Sequence, residues 1–391
     1  MKVCLIGHSD FFSPYGASTS LRSHLESFQN DTEFKFYCIY RKSFKLPSSF
    51  HSANRPNLNL VSLKAEWLPI MYSAIKSQGF SIKQFLFWRL IPNLISFFYS
   101  KKFLDKLVYF QPDIIHLNSL VLLPLIKKIR NNHIIGQVKI ILHIRELANN
   151  ELDISSYEHL IDKFVFIDQA TFDSFKSNLP NSLCRSIIIQ NPFCVSLVDN
   201  TGLNIPKDDY VNFAIVGVIS DEKGIEFVLK VFSKIESVKI RCYVVGKSNV
   251  LKKNLQKKYA FSKHIIWVDE INNFAKNGGF TNIDFLVRGD NEFCTGRTVY
   301  EALLSGSNVI LPGNISNLIS DKVLNEYESK IYLYQPRNTL SLLSLIQNIG
   351  NLKIKKELKV DNLKLSNYKE YYGLFKREYS ILMNNKFIQA R

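Results

Sequence analysis

The chain has 391 residues, 46% of them hydrophobic and 21% charged, and a formal net charge of +16 at pH 7. That length exceeds what one hydrophobic core usually serves, so two domains are expected, and the composition excludes a disordered or low-complexity chain. The charge points to an anionic partner, and the six cysteines, far apart and without paired metal spacing, read as reduced thiols rather than a disulfide scaffold or zinc module.

Residues 1–7 form a short strand-like run with neither a long apolar core nor a small-residue cleavage site, so no signal peptide is expected and the chain is expected in the cytoplasm. Strands are predicted at 2–7, 34–40, 114–117, 139–144, 164–167 and 186–190 in the first half. In the second half they are predicted at 213–216, 241–245, 265–268, 285–287, 309–311 and 331–333. Helical segments fall between most of them, and this alternation predicts two α/β domains with parallel sheets and crossover helices. The polar, aperiodic stretch 196–209, with Gly202, Pro206, Asp208 and Asp209, is the predicted interdomain linker.

Between 64 and 109, seven basic residues stand against two acidic ones, threaded with aromatics that include Trp67, Trp88, Phe97 and Phe103. Cations mixed with aromatics suit a surface resting on anionic headgroups, so a peripheral position on an anionic membrane is expected. The apolar run 85–99 contains Arg89, Pro92 and Asn93 and falls short of the ~20 residues that a spanning helix needs. The plain alternative is a buried helix pair with an aromatic core. Nucleic acid is not expected, because no nucleic-acid module is recognisable.

In open parallel sheets, ligands sit beyond the carboxyl ends of the strands, so candidate site residues are expected in the loops there. After the opening strand, Gly16 and Ala17 start a helix with Leu21, Leu25 and Phe28 on one side, and a glycine there lets backbone approach a ligand. The strand 139–144 ends in His143, Arg145 and Glu146, three ionisable groups at one terminus. Lys223 precedes a helix containing Ile225, Val228, Leu229 and Phe232, where it would reach a phosphate near the helix N-terminus. Taken singly, each of these also reads as turn chemistry, a structural histidine or a surface lysine.

The stretch 288–306 is the richest. Val299, Ala302, Leu303 and Gly306 recur at helical spacing, which turns one side to a core and leaves Arg297, Thr298, Glu301 and Ser305 on the other. An anion at the start of this helix would meet unpaired N–H groups, the positive end of the helix dipole and Arg297, while Glu301 would accept from sugar hydroxyls. The plain reading is a helix capped by Thr295 with a solvated Glu301.

In this order, these residues resemble the retaining glycosyltransferases of family four, which have the GT-B fold. The resemblance is carried by Gly16-Ala17, Pro112-Asp-Ile-Ile-His116-Leu-Asn118-Ser119, His143 to Glu146, Asn191-Pro192, Glu222-Lys223-Gly224 and Gly296 to Gly306, and it spans nearly the whole chain. It implies two Rossmann-like domains facing across a cleft: an acceptor-side domain at 1–195, a nucleotide-sugar domain at 196–366, and a helix at 367–391 returning to the first. It further implies a nucleoside-diphosphate sugar as donor, held by Gly16, Ala17, Lys223, Gly296, Arg297, Thr298 and Glu301, with His143 beside the reacting sugar. His116, Asn118, Arg145 and Glu146 would lie on the acceptor side. The acceptor would be a lipid-linked or polysaccharide glycan at the inner face of the cytoplasmic membrane, and neither a cofactor nor a divalent metal ion is expected. Two positions depart from the family pattern. Val218 stands where an arginine is common, and Phe293 where an acid is, so Glu292 or Asp290 is the expected substitute and Arg297 the expected replacement cation. A catalytically silent scaffold subunit and a sugar-nucleotide epimerase of the same fold are the alternative readings.

Overall fold

The computed structural model describes residues 1–10, 16–41, 57–63, 101, 103–148, 154–203, 205–206, 208–236, 239–291, 293, 295–315, 322–352 and 367–388. The chain divides into two compact units, Met1–Pro192 with Tyr368–Arg391, and Phe193–Asn367.

The first unit is built on seven strands: β1 (Lys2–Asp10), β2 (Lys35–Arg41), β3 (Leu58–Leu63), β4 (Ile114–Leu117), β5 (Lys139–Ile144), β6 (Lys163–Phe166) and β7 (Ser186–Ile188). They line up in the order β3-β2-β1-β4-β5-β6-β7, and every pairing is parallel. Val3, Cys4, Leu5 and Ile6 of β1 are all fully buried, as expected for a central parallel strand covered on both faces. Helices α1 (Gly16–Ser27), α2 (Leu123–Arg130) and α3 (Gln169–Phe175) connect the strands. Asp168 starts α3 by accepting from the Thr171 backbone N–H at 2.7 Å.

Strand β3 escaped the sequence reading. Its Leu-Asn-Leu-Val-Ser-Leu is broken by two polar residues, as an edge strand that buries only part of its surface allows; Leu58 is buried and Asn59 exposed. The basic, aromatic stretch lies outside the described residues from 64 to 100. Of its described end, Phe103 packs in the core while Tyr109 is exposed.

The second unit has six parallel strands, β8 (Val211–Val216), β9 (Ile240–Val245), β10 (Ile265–Val268), β11 (Phe285–Val287), β12 (Asn308–Pro312) and β13 (Ile331–Tyr334). Their order is β10-β9-β8-β11-β12-β13. Helices α4 (Ile225–Phe232), α5 (Val250–Lys258), α6 (Arg297–Leu304), α7 (Lys322–Glu326) and α8 (Thr339–Leu352) accompany them. The predicted linker is not a free connection. Ser196 N–H donates to Ala275 O at 2.9 Å and Asn200 N–H to Asn277 O at 2.7 Å, and Ile205 is buried in this unit. The division also falls earlier than 195, since Phe193 stacks on Tyr300 with ring centroids 5.6 Å apart and Val195 joins the same core.

The last helix, α9 (Tyr368–Ile388), belongs to the first unit. Tyr371, Phe375, Tyr379 and Leu382 recur at three- and four-residue steps and are buried with Leu21, Leu25 and Phe28 along α1 and with Val3 and Leu5 of β1. Each such side chain contributes about 1.5–3 kcal/mol by leaving water.

Candidate active site

In the second unit, several of the residues expected at a donor site gather beyond the carboxyl ends of the neighbouring strands β8 and β11. The β8 strand runs into Gly217, which has φ 129°, and then through a short turn to Gly224 at φ 57°. A Cβ at Gly224 would lie 1.6 Å from the carbonyl oxygen of Gly289, so only glycine lets the two loops touch. That contact sets Lys223 beside Asp290, with Nζ 3.4 Å from Oδ1. Asp290 is in turn gripped by Arg288, Nε to Oδ2 at 2.7 Å and Nη2 to Oδ1 at 3.0 Å. Arg288 Nη1 donates to the Thr298 hydroxyl at 3.3 Å, which places a buried guanidinium beneath the first turn of α6.

Gly296 starts α6 and supplies no side-chain cap, so Thr295 is not the cap; its hydroxyl accepts from Tyr300 at 3.1 Å instead. On the helix, Arg297 Nε donates to Glu301 Oε1 at 2.6 Å, an i,i+4 pair with both side chains largely buried. Arg297 Nη1 is buried and has no hydrogen-bond partner among the described residues. A buried guanidinium N–H without an acceptor costs free energy, and an oxygen from an anionic ligand would remove that cost. Glu292 lies outside the described residues. Phe293 packs against the core, and Asp290 is fully engaged as the counter-ion of two cations. Val218 is 41% exposed.

In the first unit, the ends of β4 and β5 bring a second group together. Arg145 Nε and Nη2 donate to Asn118 Oδ1 at 3.0 and 2.7 Å, and Nη1 donates to Asn191 Oδ1. Glu146 does not point outward as an acceptor-side group. Its carboxylate accepts from the Ser119 hydroxyl at 2.5 Å, from the Arg145 N–H at 3.1 Å and from the Leu120 N–H at 3.4 Å, so it holds the loop after β4. His116 also departs from its expected place. It is fully buried, its Nδ1 2.7 Å from the Tyr379 hydroxyl and its Nε2 3.3 Å from His143 Nδ1, because its β4 side chain points to the α9 face of the sheet. His143 is fully buried beside it, with Nε2 lacking a partner among the described residues. Gly16 and Ala17 form the start of α1, and residues 11–15 before them lie outside the described residues.

No protein-family model and no curated protein sequence matches the chain. Solved structures do match over its whole length. Sucrose-phosphate synthase from Thermosynechococcus elongatus is 15% identical, covers 100% of this chain and 99% of its own, and superposes with a TM-score of 0.66. The lipopolysaccharide outer core galactosyltransferase WaaB, in its apo form, is 14% identical with the same coverages and a TM-score of 0.57. Anabaena Alr3699/HepE in complex with UDP and glucose is 11% identical, covers 100% of this chain and 99% of its own, and has a TM-score of 0.62. The fold is the GT-B fold.

Within this GT-B chain, burial governs the titration of the first-unit group. Desolvation lowers the pKa of His24 to about 3 and holds those of His116 and His143 well below the ordinary histidine value, with the Arg145 charge acting in the same direction. All three are neutral at pH 7. The sequence reading missed His24, Asn191, Arg288, Tyr371 and Tyr379 as members of these groups. Asn191 and the two tyrosines stood inside recognised motifs, but their partners are supplied by strand order. Arg288 carried no periodic signal at all. Another omission was Lys252, a fully buried ammonium that donates to Gly246 O at 2.8 Å and Val268 O at 2.7 Å and so ties the ends of β9 and β10 together.

Proposed function

We propose that this protein transfers a glycosyl group from a nucleoside-diphosphate sugar, with retention, to a lipid-linked or polysaccharide acceptor in the assembly of a bacterial surface glycan. The observation that carries the reading is the buried, unpartnered Nη1 of Arg297 at the uncapped start of α6, one turn before Glu301 and in the same unit as Lys223. Helix N–H groups, the helix dipole and two cations converge there on the kind of ligand that a leaving nucleoside diphosphate provides. They would stabilise the charge that develops on the diphosphate as the glycosidic bond breaks, without a divalent ion. Glu301, held by Arg297, is the acceptor for ribose hydroxyls. Among the solved GT-B structures, one holds UDP and glucose and another is a lipopolysaccharide galactosyltransferase, which supports a sugar-nucleotide donor and a surface-glycan acceptor.

No helix among the described residues is long and apolar enough to cross a membrane. Contact with an anionic inner membrane face is proposed from the net charge of +16 and the basic, aromatic stretch. The test is release of nucleoside diphosphate from a panel of UDP-, GDP-, ADP- and dTDP-sugars with a membrane extract as acceptor source. Release from one donor that depends on acceptor supports the reading, and no release from any donor sinks it. Val218 and Phe293 favour one second reading, a silent scaffold subunit, which gives no release above blank. Conversion of a donor without acceptor would mark an epimerase instead.

A further inference from the structure

Three buried imidazoles and two buried tyrosines form one continuous chain of hydrogen bonds in the first unit, running from α9 through α1 and β4 to β5. Tyr371 OH lies 2.9 Å from His24 Nδ1, and His24 Nε2 lies 3.0 Å from Tyr379 OH. Tyr379 OH lies 2.7 Å from His116 Nδ1, and His116 Nε2 lies 3.3 Å from His143 Nδ1. Arg145 Nη2 stands 3.4 Å from that same His143 nitrogen. All five members of the chain are buried, and Phe375 packs against each of the three imidazoles.

The donors and acceptors along this chain have one consistent assignment. A guanidinium only donates, so His143 Nδ1 is an acceptor and carries no proton. His116 Nε2 therefore donates to it, and a neutral His116 must accept at Nδ1. The single hydrogen of the Tyr379 hydroxyl goes to that nitrogen, so His24 Nε2 donates to the Tyr379 oxygen. His24 Nδ1 then accepts from Tyr371. The remaining proton of His143 sits on Nε2, the one ring nitrogen of the three that has no partner among the described residues.

We propose that Tyr379 of α9 is a positioning residue: acting through His116, it holds His143 in the neutral tautomer whose Nε2 is an N–H donor awaiting a ligand oxygen. His143 is then a hydrogen-bond donor and not a proton-abstracting base. Arg145 fixes the same tautomer by donating to Nδ1 from one side, and Tyr379 of α9 reinforces it from the other by keeping the His116 proton on Nε2. The tautomer itself follows from the hydrogen bonds; only its kinetic consequence rests on the proposed glycosyl transfer.

The experiment uses the full-length chain labelled with 15N-histidine. Long-range proton–nitrogen correlation spectra at pH 7 are assigned by single replacement of His24, His116 and His143. The expected result is that all three carry their proton on Nε2 alone. A proton on His143 Nδ1, or a doubly protonated His143, overturns the proposal whatever the chain catalyses. Tyr379→Phe removes the donor to His116 Nδ1, so the ring-nitrogen signals of His116 and His143 should move. Turnover should fall roughly tenfold, the effect of one lost hydrogen bond, while the dissociation constant for nucleoside diphosphate, read by calorimetry with UDP and GDP, stays unchanged. Signals and turnover both at wild-type values in Tyr379→Phe overturn the proposal. If that variant does not fold, the wild-type His116 decides: a proton on its Nδ1 would mean that it does not accept from Tyr379, and overturns the proposal.

His143→Gln keeps an N–H donor near the Nε2 position. It should retain turnover within about tenfold, whereas a general base would lose about 100- to 10,000-fold; a loss of that size also overturns the donor assignment. If no donor sugar is turned over by the wild type, the glycosyltransferase reading falls and the spectra still test the tautomer.

Discussion

Arg288 and Asp290 are locked in a two-bond fork, Nε to Oδ2 at 2.7 Å and Nη2 to Oδ1 at 3.0 Å, with both side chains buried at the end of β11. The same carboxylate reaches out to Lys223, whose side chain is 42% exposed. A buried carboxylate thus faces a buried cation on one side and a partly solvated one on the other. Its neighbourhood keeps a net positive charge where an anionic ligand is proposed to bind.

Removing one member of this fork should be far worse than removing both. Asp290→Asn leaves Arg288 buried without its counter-charge and is expected to cost about 3–5 kcal/mol of stability. The paired change Arg288→Met with Asp290→Leu removes both charges together and should cost much less, as buried ion pairs often do when replaced by apolar groups. Denaturant unfolding of the two variants checks this, and equal losses would contradict the account.

Arg297→Ala removes the guanidinium whose Nη1 lacks a partner and whose Nε holds Glu301. A hydrogen bond to a charged group contributes about 1.5–3 kcal/mol, so the donor Michaelis constant should rise roughly ten- to hundredfold and turnover should fall. Wild-type donor kinetics in this variant would remove Arg297 from the site.

The three buried histidines make the first unit sensitive to acid. His24 titrates at about 3 in the folded chain, and His116 and His143 lie well below their ordinary value, because burial disfavours the imidazolium and Arg145 repels it. Tyr371, Tyr379 and Phe375 of α9 face the group and offer no compensating carboxylate. As pH falls below the unfolded histidine value of about 6.5, the unfolded chain takes up protons that the folded chain refuses. The contribution is complete above that pH and is lost on descent towards the folded values, by up to about 1.4 kcal/mol per pH unit for each histidine. Melting curves from pH 7 to 4 should show a steep loss that the His24→Gln variant softens. Equal slopes in the two proteins would refute the assignment.

Two glycines in one loop should respond differently to alanine. At Gly224 both the backbone angle and the Gly289 carbonyl oppose a Cβ, whereas at Gly217 only the angle of 129° does and the space is open. Gly224→Ala is expected to cost roughly 2–4 kcal/mol and Gly217→Ala about 1–3 kcal/mol. A Gly224→Ala protein with the wild-type melting temperature would show that the two loops are not held together there.

Most strands of both sheets were readable from residue order, because a parallel strand buried on two faces is a short apolar run between helical segments, as Val3 to Ile6 and Phe285 to Val287 show. The edge strand β3, interrupted by Asn59 and Ser62, lacked that signature. In the group beyond β8 and β11, the pairing of Arg297 with Glu301 follows from their spacing on one helix. The link from Lys223 to Asp290 does not, since it exists only because β8 and β11 are neighbours in the sheet and Gly224 meets Gly289. His143 stands out at a strand end and His116 within the motif Pro112 to Ser119, but a strand pattern alone does not say which face a side chain takes. Their burial under α9 depends on a helix that arrives more than two hundred residues later in the chain.

That late arrival has a consequence for how the protein is made. The first unit is interrupted by the second, and its Leu21, Phe28 and Val3 stay without Tyr371, Phe375 and Tyr379 until synthesis has passed through the whole of residues 193–367. At about 5–20 residues per second, the nascent chain waits roughly ten to thirty-five seconds with this surface uncovered. The second unit, contiguous in sequence, has all its parts first and is free to fold while the other waits. A nascent chain halted before residue 368 therefore displays a finished second unit beside an open apolar face, the kind of surface that a chaperone holds and a protease finds.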